Sequence, residues 1–186
     1  MLKEYVTSLR WYLALSSTLF LIMSILGYFF GGEFSYLWES LQETFEGFID
    51  LHPLFLLVFI FVNNSIASIV SILLGVILGI VPLLASAVNG LIIGLVGFHI
   101  LQTEGLKFFV LGIMPHGVIE LPMFLLSTAI GIRIGVEAIK KILGKESAVK
   151  KRLKNDLEFY AVRILPLLFL AALIEIFITP SILLMI

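Results

Sequence analysis

The chain has no cysteine among its 186 residues, which excludes disulfides, thiolate metal sites and a cysteine nucleophile. Charge is scarce as well. Asp, Glu, Lys and Arg make up 13% of the residues, and none of them, nor any His, occurs between Leu54 and Phe98. A net charge of −1 supplies no basic field to hold nucleic acid. The HExxH pattern of helix-borne zinc peptidases is missing. No small-x-small cleavage site follows the first apolar run, and Trp11 to Phe30 is too long for a signal-peptide core. That run therefore reads as a retained membrane helix behind Lys3 and Arg10.

What is present is soluble in hydrocarbon. Apolar residues make up 60% of the chain, with a mean hydropathy of +1.14. Such a composition predicts an all-α polytopic integral membrane protein, one domain over 1–186. Five spans are expected, at roughly 11–30, 54–74, 80–98, 108–135 and 163–184. The uncharged stretch is too long for one helix, so a turn is expected between Leu74 and Val88, with Pro82 and Ser86 as its markers. His99 to Lys107 reads as a short polar turn. Residues 34–50 place Phe34, Leu37, Trp38, Leu41, Phe45, Phe48 and Ile49 at three- and four-residue steps among Glu33, Glu39, Glu43, Glu46 and Asp50. This is the pattern of an amphipathic helix lying at the interface on the outer side.

Orientation follows from the basic residues. Lys140, Lys141, Lys145, Lys150, Lys151, Arg152 and Lys154 crowd the segment 137–160, whereas 33–50 contains no Lys or Arg. Positive charge near membrane ends stays cytoplasmic. The expectation is a plasma-membrane protein with its N-terminus and basic loop inside and its C-terminus outside. The topogenic role accounts for the basic loop, with contact to anionic lipid as the alternative. Arg133 is expected to snorkel to the interface.

Against this background the run Gly112-Ile113-Met114-Pro115-His116-Gly117-Val118-Ile119-Glu120-Leu121-Pro122 is anomalous. His116 lies about 14 Å along the fourth span and Glu120 about 20 Å. Glu175, entering from the opposite side, lies about 18 Å deep, and Asn63 is at a similar distance past Pro53. All fall in the middle of a core of about 30 Å, where an ionisable group costs about 2.5–3.5 kcal/mol on insertion scales. The polar membrane core is thus Asn63, Asn64, Asn89, Pro115, His116, Gly117, Glu120 and Glu175. No Lys or Arg is within reach, so the carboxylates must hold protons, bind a cation, pair with His116 or line water. His116 and Glu120 share a helix face and are the candidate ligands of a divalent cation. Pro115 and Pro122 each strip a carbonyl of its helical donor, so the fourth span is expected to kink or to split into two half-helices.

An Asn-bearing helix with Asn63 or Asn64 comes first, then Gly75, Gly79, Asn89-Gly90 and Gly94, then Pro115-His116-Gly117-Val118-Ile119-Glu120. This order resembles the stage II sporulation protein M family over roughly residues 55–135. The namesake of that family is a polytopic component of a wall-remodelling complex that acts beside soluble hydrolases; what the resemblance implies for this chain is the membrane core, not the sporulation role. The spans predicted here leave no extramembrane part large enough to bind or cut a wall polymer.

Three functions are weighed. The first is a membrane scaffold, holding a second copy or other membrane or extracytoplasmic proteins through glycine-rich faces. The second is an ion or small-solute pathway lined by His116, Glu120, Glu175 and Asn63. The third, an intramembrane metallohydrolase, suffers from having only one deep histidine, since His52 and His99 are expected near the outer face. A homodimer within the lipid bilayer suits either of the first two.

Overall fold

The computed structural model describes residues 2–47 and 51–185, and every regular element among them is helical. Five helices are long and apolar enough to cross a membrane: Arg10–Phe29, Pro53–Val76, Ile80–Thr103, Gly105–Ile142 and Val149–Leu183. The elements in chain order are α1 (Leu2–Ser8), α2 (Arg10–Phe29), α3 (Ser35–Glu46), α4 (Pro53–Leu73), α5 (Ile80–Thr103), α6 (Gly105–Ile142), α7 (Val149–Phe159), α8 (Leu165–Phe177) and α9 (Thr179–Leu183).

Glycine sets the architecture by letting backbones touch. A Cβ on Gly94 would lie 2.0 Å from the carbonyl oxygen of Ser24, and one on Gly90 would lie 2.3 Å from that of Phe20. α2 therefore packs flat against α5, the partner that follows two spans later. A second seam joins the end of α4 to α6. There a Cβ on Gly131 would come within 2.1 Å of the Ser71 oxygen, and one on Gly75 within 2.3 Å of the Gly131 oxygen. Small residues at membrane helix contacts serve this close approach.

Hydroxyls pin the register of the three helices around these seams. Ser16 on α2 bonds Ser86 on α5 at 2.9 Å and Thr128 on α6 at 2.6 Å, all three buried. Ser86 thus lies inside a helix and does not mark a turn. The reversal between the second and third spans falls earlier, over a 3₁₀ turn at Leu74–Val76 and then Leu78 and Gly79, both at positive φ. Gly79 is suited to that backbone, and Pro82 follows in the first turn of α5, where a missing N–H is tolerated.

The expected polar turn at His99 to Lys107 shrinks to Glu104, because α5 runs on to Thr103 and α6 starts at Gly105, whose φ is 85°. α6 then continues for 38 residues, about 57 Å at 1.5 Å per residue, nearly twice the hydrocarbon thickness. Both prolines lie inside it, and the split into two half-helices does not occur. From Phe124 to Gly135 almost every residue of α6 is buried, and this packing holds the helix together beyond Pro122.

The amphipathic helix over 34–50 forms as α3; Phe48, Ile49 and Asp50 lie outside the described residues. Trp38 stacks on His99 with ring centroids 4.6 Å apart, tying α3 to the end of α5. At the opposite end of the bundle, Glu137 clamps the α6–α7 connection. Its carboxylate accepts from Lys140 at 2.9 Å and from the Ala148 N–H at 3.0 Å, and its carbonyl accepts from Ser147 at 2.8 Å. A five-residue π turn, Tyr160–Ile164, links α7 to α8. Between the two ends lies an apolar core of Ile72, Leu126, Ile130, Ile134, Ile164 and Leu168.

Candidate functional site

In the half of the bundle that carries α3, α4 and α6 enclose a cavity of about 410 Å³. α4 contributes Asn63, Asn64 and Ser68, α5 contributes Asn89, and α6 contributes His116, Gly117 and Glu120. Phe20, Phe124 and Leu168 close its apolar sides. Six of the eight residues expected in the polar core thus meet around one space. Pro115 is on the same helix but does not line it.

Of the two α6 glycines near this space, Gly117 lines the cavity and Gly112 does not. A Cβ on Gly112 would meet nothing within 4 Å, and one on Gly117 would meet only the Ile113 side chain. These glycines differ in kind from Gly131 and Gly94, which are covered by backbone. Met114 and Val118, 56% and 65% exposed, flank the opening, and Asn63 is also exposed. The cavity therefore opens sideways between α4 and α6.

Glu175 on α8 stands behind His116, outside the lining. Its Oε2 meets His116 Nδ1 in a charge contact, and Thr179 Oγ1 donates to the same oxygen at 3.3 Å. Glu120 faces this pair, with the Asn64 side chain in hydrogen-bonding reach. Asn89 Nδ2 donates to the Ala85 carbonyl at 2.9 Å, leaving its oxygen for the cavity side. Ser68, wholly buried, has a hydroxyl with no bonded partner among the described residues. Of the roles open to the carboxylates, contact with His116 is made by Glu175 on another helix and not by Glu120 one turn along α6. No group of three His, Asp or Glu suited to a metal ion occurs among the described residues. The set thus consists of two carboxylates, Glu120 and Glu175, and one imidazole, His116.

A profile of the family described as stage II sporulation protein M matches residues 16–180. The chain belongs to the stage II sporulation protein M family. Among similar proteins is an uncharacterized protein of Methanocaldococcus jannaschii, 33% identical over 97 residues. That match covers 50% of this chain and 54% of the relative, so the chain spans about half the relative's length. No solved structure matches the chain. The family match takes in both glycine seams, the whole cavity wall, and Glu175 and Thr179 behind it.

A second polar cluster escaped sequence reasoning. Arg133 does not snorkel: it is 5% exposed and forms an ion pair with Asp156 on α7, itself 1% exposed. Arg133 also donates to Ser8 at 3.0 Å and to the Tyr5 hydroxyl at 3.1 Å, while that hydroxyl donates to Asp156 at 2.7 Å. Burial, then the Asp156 carboxylate beside it, push the Tyr5 phenol well above its ordinary range. The available signal was a lone arginine in an apolar helix and a lone aspartate inside a lysine-rich segment. Thr179 was missed too, although it lies one turn after Glu175 and just before Pro180.

Proposed function

We propose that this member of the family binds a proton or small cation in the α4–α6 cavity and passes it along a membrane pathway. The observation that carries the reading is the His116–Glu175 contact with Glu120 facing it, at the edge of a largely apolar cavity into which Asn63, Asn64, Ser68 and Asn89 also project. Isolated charge at that depth is expensive, and polar groups that persist there mark ion and substrate routes. The cavity opens sideways between α4 and α6, and the apolar core around Ile72, Ile130 and Ile134 fills the bundle toward the α6–α7 end. Passage would require the Gly75–Gly131 seam to open, with the cavity as the outer station.

The basic residues of 140–154 favour a cytoplasmic location for the α6–α7 end in a plasma membrane, which turns the cavity outward. Exposed Asn63 favours a second copy lying against α4. The scaffold reading drew on glycine-rich faces, and these are occupied within the chain. Proteoliposomes loaded with a pH-reporting dye test the pathway. The intact chain is expected to dissipate a proton gradient, and Glu120→Gln and His116→Ala to slow this about tenfold or more. Equal flux in the wild type and both variants refutes the reading.

A further inference from the structure

The opposite end of the bundle holds a cavity of about 460 Å³ between α1, the end of α6, and α7 with its π turn. Arg133 and Asp156 line it, and each keeps one hydrogen-bonding atom unused. Nε–H of Arg133 is a buried donor without an acceptor, and Oδ2 of Asp156 is a buried acceptor without a donor. Neither is an incidental surface group, since the two side chains are 5% and 1% exposed. A buried polar atom left unmatched costs roughly as much as a lost hydrogen bond, so a pair of opposite type beside one space favours a group that both accepts and donates.

The remaining lining says what kind. Arg152, Arg163 and Asn155 contribute further donors. Arg152 contacts Glu137 at 3.4 Å, but Glu137 lies outside the cavity. Arg163 is exposed and has no ion-pair partner among the described residues. It sits in the π turn Tyr160–Ile164, and single π turns recur at functional sites. With three arginines against Asp156 and Glu158, the lining is net positive. Next to Arg163, the apolar and 65% exposed Val162 offers a hydrocarbon track at the rim.

We propose that this cavity binds a phosphate group that also carries a hydrogen-bond donor. The phosphate oxygens meet Arg163 and Arg133 Nε, and a hydroxyl or ammonium of the same ligand meets Asp156 Oδ2. The donor and phosphate belong together in the headgroups of phosphatidylglycerol and phosphatidylethanolamine, and also in free hydrogen phosphate. Val162 beside the rim gives an acyl chain a route along the bundle.

The test uses the intact chain and native mass spectrometry with added phosphatidylglycerol, phosphatidylethanolamine or phosphatidylcholine, the last having phosphate but no donor. Thermal melts with inorganic phosphate at matched ionic strength run alongside. The expected result is one phosphatidylglycerol or phosphatidylethanolamine per chain, held in preference to phosphatidylcholine. Retention should fall about tenfold or more in Arg163→Gln, whose melt without ligand matches the wild type because Arg163 supports no internal contact. Protection by inorganic phosphate equal to that by lipid, and lost in the same variant, assigns the site to free phosphate. Equal retention of phosphatidylcholine, unchanged retention in Arg163→Gln, or no retained lipid and no response to phosphate each overturns the proposal.

Discussion

Replacing Asp156 with Asn removes the counter-charge of a buried arginine. Arg133 is 5% exposed, and its hydrogen bonds to the neutral hydroxyls of Ser8 and Tyr5 do not balance its charge. Breaking a buried pair from one side costs about 3–5 kcal/mol, a rise of a hundred- to several-thousand-fold in the unfolded population. For a chain of this size each kcal/mol moves the melting temperature by about 2–4 °C, so Asp156→Asn should melt about 6–20 °C lower. The assay is thermal unfolding of purified protein in detergent, followed by helical circular dichroism. The paired control is Arg133→Met with Asp156→Leu, which removes both charges. It should recover most of the loss, because an apolar pair of similar volume often matches a buried ion pair. A drop below about 2 °C in the single variant, or a double variant no more stable than the single, refutes the claim that this is a closed buried pair.

Gly131→Ala should lose folded, monodisperse protein, because its Cβ would come within 2.1 Å of the Ser71 carbonyl oxygen. Gly112→Ala, with nothing within 4 Å, should instead melt at or slightly above wild type, by about 0.5–1 kcal/mol of helix propensity. Tyr5 supplies a pH dependence: its raised value means the fold favours the neutral phenol. That contribution is complete below the ordinary tyrosine value of about 10 and is lost as pH rises toward the folded value, so melts should fall more steeply above pH 10 in wild type than in Tyr5→Phe. Trp38→Ala removes the stack on His99, and hydrogen exchange should then speed up in α3 while α2 and α5 keep their protection.

The spans were legible because hydrocarbon imposes its requirement on every residue of a crossing helix. Leu54 to Phe98 could be assigned to membrane from the absence of charge alone. The convergence of Asn63, His116 and Glu120 was legible for a related reason: rise per residue converts sequence position into depth. Depth does not supply azimuth. Hence the arithmetic placed Glu175 level with His116 without revealing that it sits behind the imidazole, outside the cavity lining. Pro115 and Pro122 suggested a kink or a split; α6 runs through both without splitting, and beyond Pro122 it is held by the burial of Phe124 through Gly135. Pro82 looked like a turn and is a helix start, the turn being made by Leu78 and Gly79. Arg133 was read as a snorkelling residue because its partners, Tyr5 and Asp156, lie 128 and 23 residues away in the chain.

The flat contact between α2 and α5 bears on how the protein is made. Gly27 and Gly94 lie in one seam, yet α3 and α4 emerge between them. At a synthesis rate of about 5–20 residues per second, α2 waits roughly 3–13 s for the backbone it is shaped to receive. In that interval its groove is open to lipid, and α4 is inserted without occupying it. Assembly of this bundle is therefore separated in time from insertion, with helices first placed individually and only later zipped together. A ribosome stalled before α5 would leave a first helix that is stably inserted but still without its partner.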